Sequence, residues 1–281
     1  MVRSLPLPSG RPMPVLGQGT WGMGEKRSEF DAEVAALRFG LDLGLTLIDT
    51  AEMYGEGGAE KVVGKAIEGR RDEVFLVSKV YPQNATRRGA IAACERSLRR
   101  LKTNHLDLYL LHWRGTVPLS ETLEAFRSLK RGGAILDYGV SNFDTDDMEQ
   151  AAALPGGGEV ATNQVLYNLV HRGIEWDLLP WCRNRGIPIM SYSPTEPAHR
   201  ERLLSNPVLN AVAARRDATP LQVALAWLLH QPGVTAIPKA VQPAHVRENR
   251  AAHDLKLGKD DLSDLDRAFP SPHKKVPLVM R

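Results

Sequence analysis

The sequence predicts an α/β protein of the (β/α)8 barrel class, also called a TIM barrel, formed as one domain over residues 1–281. Short β-rich apolar runs alternate with amphipathic helical segments from one end of the chain to the other. The strand candidates number eight, whereas a doubly wound sheet needs only about five or six. No linker rich in proline, glycine and serine divides the chain into two units.

The eight predicted strands follow one another at the spacing of successive β/α units. They are Val15–Gly19, Thr46–Asp49, Val74–Lys79, Leu106–His112, Ala134–Val140, Val160–Gln164, Pro188–Tyr192 and Val234–Pro238. Ahead of them, the proline-rich segment Leu5–Pro14 is expected to form a small hairpin that plugs the bottom of the barrel.

Between the strands, apolar residues recur three or four positions apart, as one face of a helix requires. Two such sets are Phe30, Val34, Leu37 and Leu41, and Ile91, Cys94, Leu98 and Leu101. Cys94 is therefore expected in the core and not as a reactive thiol. Thr219 and Pro220 supply the N-cap and the first residue of a later helix. The segment Pro270–Arg281, with little periodicity, is expected to lie irregularly on the surface.

The composition argues against several classes of function. The net charge is +3 with no concentrated basic stripe, so we expect no nucleic-acid partner. No run of about 18 apolar residues is present, and the N-terminus lacks a signal-peptide core, so we expect no membrane span. Two cysteines without metal-ligand spacing predict neither a disulfide framework nor a zinc site. We expect a cytoplasmic monomer.

The segment Gly17–Gly22 reads GQGTWG and matches the G-x-G-x-x-G pattern of a dinucleotide-binding turn. That turn needs a full strand before the glycines and a helix that opens on the last one. Here Pro12 and Pro14 leave little strand, and the next helix is predicted near Ser28. The glycines are therefore interpreted as a tight exit from the first barrel strand that places Trp21 near the site.

Polar residues end seven of the predicted strands, at the face where barrels of this class carry their chemistry. They are Asp49, Lys79, His112, Asn142, Gln164, Tyr192 and Lys239. One or two would be unremarkable loop starts, but seven on one face favour a functional site.

Four residues at this face make chemical sense together, namely Asp49, Tyr54, Lys79 and His112. A buried lysine is costly to charge unless it is paired, and Asp49 could supply the pairing. A charged Lys79 would lower the pKa of Tyr54 from about 10, which makes Tyr54 a candidate general acid. His112 could orient a substrate oxygen or share the proton. Three of them also have a structural interpretation: Asp49 as a loop cap, Lys79 as a structural ion pair and His112 as a core histidine.

Seven motifs occur in order along the chain: IDTAEMYG, VSK, DLYLLHW, GVSNF, NQVLYN, YSP and IPK followed by EN. With them the chain resembles the aldo-keto reductases, and most of all the short bacterial members that include methylglyoxal and other small-aldehyde reductases. The resemblance implies a carbonyl reductase that binds NADPH, and in some members NADH, without a Rossmann domain. In it, Tyr54 would be the acid, Lys79 and Asp49 would tune it, and His112 would orient the carbonyl.

The resemblance also implies where the cofactor and an aldehyde or ketone substrate lie. Asn142 would hold the nicotinamide carboxamide, Tyr192 would stack on the ring, and Lys239 would meet the 2′-phosphate. The residues expected at the cofactor are Gly19, Thr20, Trp21, Asp49, Ser141, Asn142, Gln164, Tyr192, Ser193, Pro194, Thr195, Ile237, Lys239, Ala240, His245, Glu248 and Asn249. Those expected at the substrate mouth are Trp21, Tyr54, Tyr81, His112 and Trp113.

Two positions depart from the family pattern at the cofactor's 2′-phosphate. His245 stands where NADPH-preferring members usually have an arginine, and Ala240 stands where a hydroxyl often helps to bind phosphate. A histidine is only partly charged at neutral pH and lacks the guanidinium fork. We therefore expect NADPH use with a weakened preference over NADH.

The loop after Tyr192 also departs from the pattern, because it contains Glu196 where the cofactor's pyrophosphate is expected. A carboxylate facing a pyrophosphate would be repelled, so Glu196 is expected to point to solvent, or the loop to fold differently. His199, Arg200 and Arg202 could restore positive charge. Little chain follows the last helix, so we also expect a broad, open pocket.

Two other functions compete with a carbonyl reductase. A redox-sensing accessory protein that holds NADPH and turns over slowly would share the fold, but the complete set of four residues favours an enzyme. A metal-dependent barrel hydrolase would need a histidine or aspartate ligand cluster, and His112 has no second strand-end histidine beside it. No metal is expected.

Overall fold

The computed structural model describes residues 2–196 and 200–281, except for the side chain of residue 202. His199 lies outside the described residues, and so does the side chain of Arg202. A short antiparallel hairpin opens the chain, formed by β1 (Ser4–Pro6) and β2 (Pro12–Pro14).

Eight parallel strands follow, and each pairs with the next along the chain. They are β3 (Gly17–Gly19), β4 (Leu47–Asp49), β5 (Phe75–Val80), β6 (Leu106–Leu111), β7 (Ile135–Ser141), β8 (Val160–Leu166), β9 (Ile189–Tyr192) and β10 (Val234–Ala236). The first and last strands meet through a bridge between Leu16 and Ala236, and Gly19 N donates to Pro238 O at 3.1 Å. The predicted (β/α)8 barrel and its strand order are confirmed.

Helices surround the strands. They are α1 (Phe30–Asp42), α2 (Gly58–Ala66), α3 (Arg87–Leu101), α4 (Leu119–Arg131), α5 (Thr145–Ala152), α6 (Leu178–Arg183), α7 (Arg200–Leu204), α8 (Pro207–Arg215), α9 (Pro220–His230), α10 (Pro243–Ala252) and α11 (Lys259–Ala268). Within residues 2–196 and 200–281, no helix is both long and apolar enough to cross a bilayer.

Local sequence explains where these helices begin and which face they bury. Thr219 caps α9 through a reciprocal pair with Gln222, in which each side chain accepts the other residue's backbone N–H. Cys94 lies on the buried face of α3, where burial raises the pKa of its thiol to about 12. The prediction that Cys94 is a core residue is confirmed.

The hairpin closes the bottom of the barrel as predicted. Its Leu7 and Met13 pack against the apolar residues that line the barrel interior, such as Leu47 and Leu108. Arg11, in the turn of the hairpin, forms an ion pair with Asp107 near the start of β6, with Nη2 and Oδ1 2.6 Å apart. Side chains of the hairpin therefore fill the bottom of the barrel.

The GQGTWG segment differs from a dinucleotide-binding turn in the way the sequence suggested. Its first three residues, Gly17–Gly19, themselves form the barrel strand β3, and α1 begins only at Phe30, after a 3-10 turn over Arg27–Glu29. Gly19 is needed for a reason unrelated to a dinucleotide. A Cβ at this position would lie 2.6 Å from the carbonyl oxygen of Ile237. The glycine therefore permits the close approach of the strands that complete the barrel.

Candidate active site

Alternation of side chains along the strands places the polar residues in the uppermost layer of the barrel interior. Leu47 and Asp49 share one face of β4, and Val77 and Lys79 share one face of β5. The lower residue of each pair belongs to the apolar interior. The upper residue therefore meets the mouth of the barrel.

Lys79 forms hydrogen bonds with two of the other three predicted catalytic residues, Asp49 and Tyr54. Its Nζ donates to Asp49 Oδ2 at 2.7 Å, to the Thr50 carbonyl at 2.8 Å and to Tyr54 Oη at 3.2 Å. The lysine is fully buried, and Asp49 is nearly so. The other carboxylate oxygen of Asp49 accepts from Gln164 Nε2 at 2.7 Å. The buried charges are thus paired and hydrogen-bonded, as burial of charge requires.

The pKa of Tyr54 differs from the prediction. Burial raises the pKa of Tyr54 above its ordinary value of 10, and the lowering effect of Lys79 offsets only part of this. The expected net lowering is therefore wrong. For Lys79, burial acts to lower the pKa, but Asp49 and Tyr54 outweigh it and the pKa is raised. The pair consists of a protonated phenol beside a charged ammonium group.

His112 lies beside this pair and carries no charge at neutral pH. Burial, aided by the charge of Lys79, lowers the pKa of His112 to about 2. Its ring meets the ring of Tyr54 edge-on, with centroids 5.6 Å apart. Its Nδ1 is buried and has no hydrogen-bond partner among the described residues. A neutral imidazole can orient a substrate oxygen without adding a second positive charge.

Aromatic residues surround the mouth next to His112. Tyr81 and Trp113 pack edge-to-face at 5.5 Å, and the rings of His112 and Trp113 lie 4.9 Å apart. Glu52 holds the backbone of Tyr81 in place, because its Oε1 accepts a hydrogen bond from Tyr81 N at 2.8 Å. Trp21 extends from the loop after β3 and is 69% exposed, so it is available to a ligand at the rim.

The residues expected at the nicotinamide lie together on β7, β8 and β9. Ser141 Oγ donates to Gln164 O at 2.8 Å, and Asn142 Nδ2 donates to His112 O at 3.1 Å. Tyr192 Oη donates to Asn142 Oδ1 at 2.9 Å. Asn142 has a left-handed backbone with φ 59°, which is uncommon for a residue other than glycine. The structure therefore brings these predicted residues together beside the four predicted catalytic residues.

The residues expected at the 2′-phosphate end of the cofactor lie around the start of α10. Lys239 and His245 are exposed, Ala240, Glu248 and Asn249 are half-buried, and the helix opens with Pro243. Ile237 is buried beneath them, and so are Gly19 and Thr20 on the neighbouring strand end. Arg247 packs over the ring of Phe39 at 4.7 Å, on the side of α1.

Glu196 is buried and does not point to solvent, so the first of the two alternatives expected for it is wrong. Asn168 Nδ2 donates to its Oε2 at 2.9 Å, and His171 Nε2 lies 3.1 Å from the same oxygen. Arg281 Nη2 forms an ion pair with Oε1. The loop has turned its carboxylate inward, where these partners compensate the charge. Arg200, at the start of α7, is exposed.

The segment after α11 is irregular and lies on the surface, as expected, but it does not leave the site uncovered. It runs past residues 166–178 and reaches Tyr192, whose hydroxyl accepts from Arg281 N at 3.3 Å. A cavity of about 590 Å³ lies between residues 275–279 and the loops that follow β7 and β8. The tail therefore covers the Tyr192 side of the site, while the predicted broad, open pocket stays a prediction.

Sequence reasoning missed three residues that shape this site: Asn168, His171 and Arg281. Asn168 ends the NQVLYN motif, so its place in the motif was a signal that could have been used. Arg281 carries no comparable signal, because only folding brings it to Glu196. Within the part of the chain that the structure describes, no three His, Cys, Asp or Glu side chains cluster closely enough to bind a metal ion.

Comparison with known proteins agrees with this geometry. The model of the Aldo/keto reductase family matches residues 15–269. The chain is 54% identical over 270 residues to methylglyoxal reductase YeaE of Escherichia coli, covering 95% of each chain. It is 32% identical over 278 residues to glyoxal reductase of Bacillus subtilis, again covering 95% of each.

A solved structure is also similar to this chain over its whole length. The crystal structure of an aldo/keto reductase from Klebsiella pneumoniae in complex with NADP and acetate superposes with a TM-score of 0.97. The two sequences are 49% identical, and the match covers 100% of each chain. The family model and the relatives span nearly the whole barrel, so the chain belongs to the aldo/keto reductase family and is an NAD(P)H-dependent oxidoreductase.

Proposed function

We propose that this protein reduces small aldehydes, such as methylglyoxal or aromatic aldehydes, with NADPH and with Tyr54 as the general acid. The observation that carries the proposal is the Tyr54 hydroxyl, 3.2 Å from a fully buried Lys79 that is paired with Asp49. This arrangement stands in an aromatic mouth that suits a small carbonyl compound. The similarity to methylglyoxal and glyoxal reductases supports the substrate class.

The residues around the mouth fit a nicotinamide cofactor. The half-buried ring of Tyr192 offers a flat wall, and the amides of Asn142 and Gln164 supply donors and acceptors that match a carboxamide. The exposed Lys239, just before α10, supplies a cation for a phosphate group. The cofactor, when bound, supplies the hydride. The K. pneumoniae neighbour in complex with NADP supports NADPH as the reductant.

The four residues then have separate roles in the reduction. Tyr54 gives its proton to the carbonyl oxygen as an alkoxide forms, and Lys79 stabilises the phenolate that remains. Asp49 holds Lys79 charged and in place, since its carboxylate is 2.7 Å from Nζ. His112 orients the carbonyl oxygen, because its neutral ring lies against Tyr54. Trp21, Tyr81 and Trp113 shape the space for the substrate.

The test is steady-state turnover of methylglyoxal and of an aromatic aldehyde with each cofactor. We expect turnover with both aldehydes and a larger kcat/KM for NADPH than for NADH, by less than about a thousandfold because His245 replaces an arginine. A chain that binds NADPH but turns over neither aldehyde would instead be a cofactor-holding binding protein. A ratio above a thousandfold would overturn the weak-preference part of the proposal.

A further inference from the structure

The loop that follows β9 has an unusual backbone at two residues. Ser193 has φ 48° and Glu196 has φ 50°, and neither is a glycine. Left-handed backbone is uncommon and strained for such residues, so it persists only where the surroundings enforce it. The turn is closed by one hydrogen bond, from Glu196 N to Ser193 O at 3.1 Å. Contacts from outside the loop must therefore hold it.

Asn168 supplies the first of these contacts. Its Nδ2 lies 2.9 Å from the Ser193 carbonyl and 2.9 Å from Glu196 Oε2, so one amide group ties both ends of the turn. Its Oδ1 accepts from the backbone N–H of Val170 and of His171, each at 2.9 Å. The anchor is thus itself fixed in the loop that follows β8.

Arg281 supplies the second contact and reaches the nicotinamide end of the site as well. Its guanidinium is the permanently charged partner of Glu196, since an arginine does not lose its proton in the physiological range. Its backbone N–H donates to the hydroxyl of Tyr192, which in turn donates to Asn142. One residue therefore touches both the strained loop and the ring wall proposed for the nicotinamide.

We propose that Arg281 is a positioning residue for the cofactor and that it acts through Glu196. Paired with Arg281, the carboxylate of Glu196 is held inward, and Ser193, Pro194 and Thr195 keep the conformation in which they cover the pyrophosphate. Without Arg281, the buried carboxylate is undercompensated, the strained turn relaxes, and Glu196 turns toward the pyrophosphate and repels it. The inference rests on the proposed NADPH site.

The experiment measures the Kd and the release rate of NADPH by its fluorescence for the wild type and for Arg281→Met. We expect Arg281→Met to raise the Kd about tenfold, mainly through faster release, a size typical of coupling between two sites. Arg281→Lys, which keeps the charge, is expected to restore most of the affinity. The matched control is Arg267→Met, which removes an exposed arginine paired with Asp264 on α11 and should leave the Kd unchanged.

A double-mutant cycle with Glu196→Gln separates this role from a general loss of order in the tail. With the carboxylate neutral, Arg281→Met is expected to change the Kd by less than twofold. Effects of the two substitutions that multiply independently would overturn the inference, and so would an Arg281→Met Kd within twofold of the wild type. A wild-type chain that fails to bind NADPH would instead overturn the proposed function.

Discussion

At the scale of single residues, the site is governed by competition between burial and charge at Tyr54. Burial disfavours the phenolate, while Lys79, 3.2 Å away, favours it. Burial is the larger effect, so the resting phenol keeps the proton that a reduction needs. Lys79 then acts after the proton has moved, since it stabilises the phenolate left behind. The same four residues were identified from the sequence, but the direction of the pKa shift was not.

Replacing Tyr54 with phenylalanine removes the proton donor and leaves the ring. We expect kcat to fall by about 10²- to 10⁴-fold, the usual contribution of a general acid, with NADPH affinity nearly unchanged. The measurement is kcat with methylglyoxal together with a fluorescence titration of NADPH. Tyr81→Phe removes the hydroxyl of a second tyrosine at the mouth and should change kcat only severalfold. Retained turnover in Tyr54→Phe would refute the acid assignment.

The pH dependence of reduction follows from the shifted pKa values of Tyr54 and His112. The pKa of Tyr54 is raised, so the required phenol stays protonated at neutral and mildly alkaline pH, and the rate falls only as the pH rises through that pKa. His112, with a pKa of about 2, is neutral throughout the same range. We expect kcat/KM for reduction to be level from about pH 6 to about pH 9. An apparent pKa near 6.5 in that profile would contradict the neutral His112.

At the scale of elements, the proposed discrimination between NADPH and NADH lies at the start of α10. His245 is exposed in the first turn of this helix, six residues after the exposed Lys239. Helix N-termini favour anions, so the position suits a phosphate even without an arginine. The departure of His245 from the family's arginine could be recognised from the sequence. Only the identity of residue 245 and its spacing from Lys239 are needed, and both are local features of the chain.

Replacing His245 with arginine restores a fixed charge and a bidentate donor at this turn. We expect the ratio of kcat/KM for NADPH to that for NADH to rise about five- to tenfold, as one added charge-assisted hydrogen bond would give. The control is His230→Arg, the same substitution at the exposed carboxyl end of α9. An unchanged ratio in His245→Arg would show that this turn does not meet the 2′-phosphate.

At the scale of the whole molecule, the barrel depends on a close approach between its first and last strands. Gly19 lies where a Cβ would come within 2.6 Å of the Ile237 carbonyl oxygen, and a backbone atom cannot move aside as a flexible side chain can. The same contact brings the strand ends that carry Thr20 and Lys239 to one side of the mouth. Closure of the barrel and assembly of the proposed cofactor site therefore depend on one another.

Gly19→Ala tests this dependence. We expect it to lower the free energy of unfolding by about 1–3 kcal/mol, the range typical of overpacking, and to weaken NADPH binding. Urea denaturation measures the first effect and fluorescence titration the second. Gly158→Ala is the matched control, because a Cβ there meets nothing within 4 Å and should change stability little. Equal stability of the two variants would show that the strands can separate without cost.

The sequence by itself determined the order of the eight β/α units, since hydrophobic periodicity, caps and turns are local signals. It also determined which polar residues meet at the mouth, because parallel strands bring their carboxyl ends to one face whatever the details of packing. Only the tertiary structure decided the pKa direction of Tyr54 and the burial of Glu196. The first depends on how completely water is excluded, and the second on partners such as Arg281 that lie far away along the chain and reach the loop only once the barrel has folded.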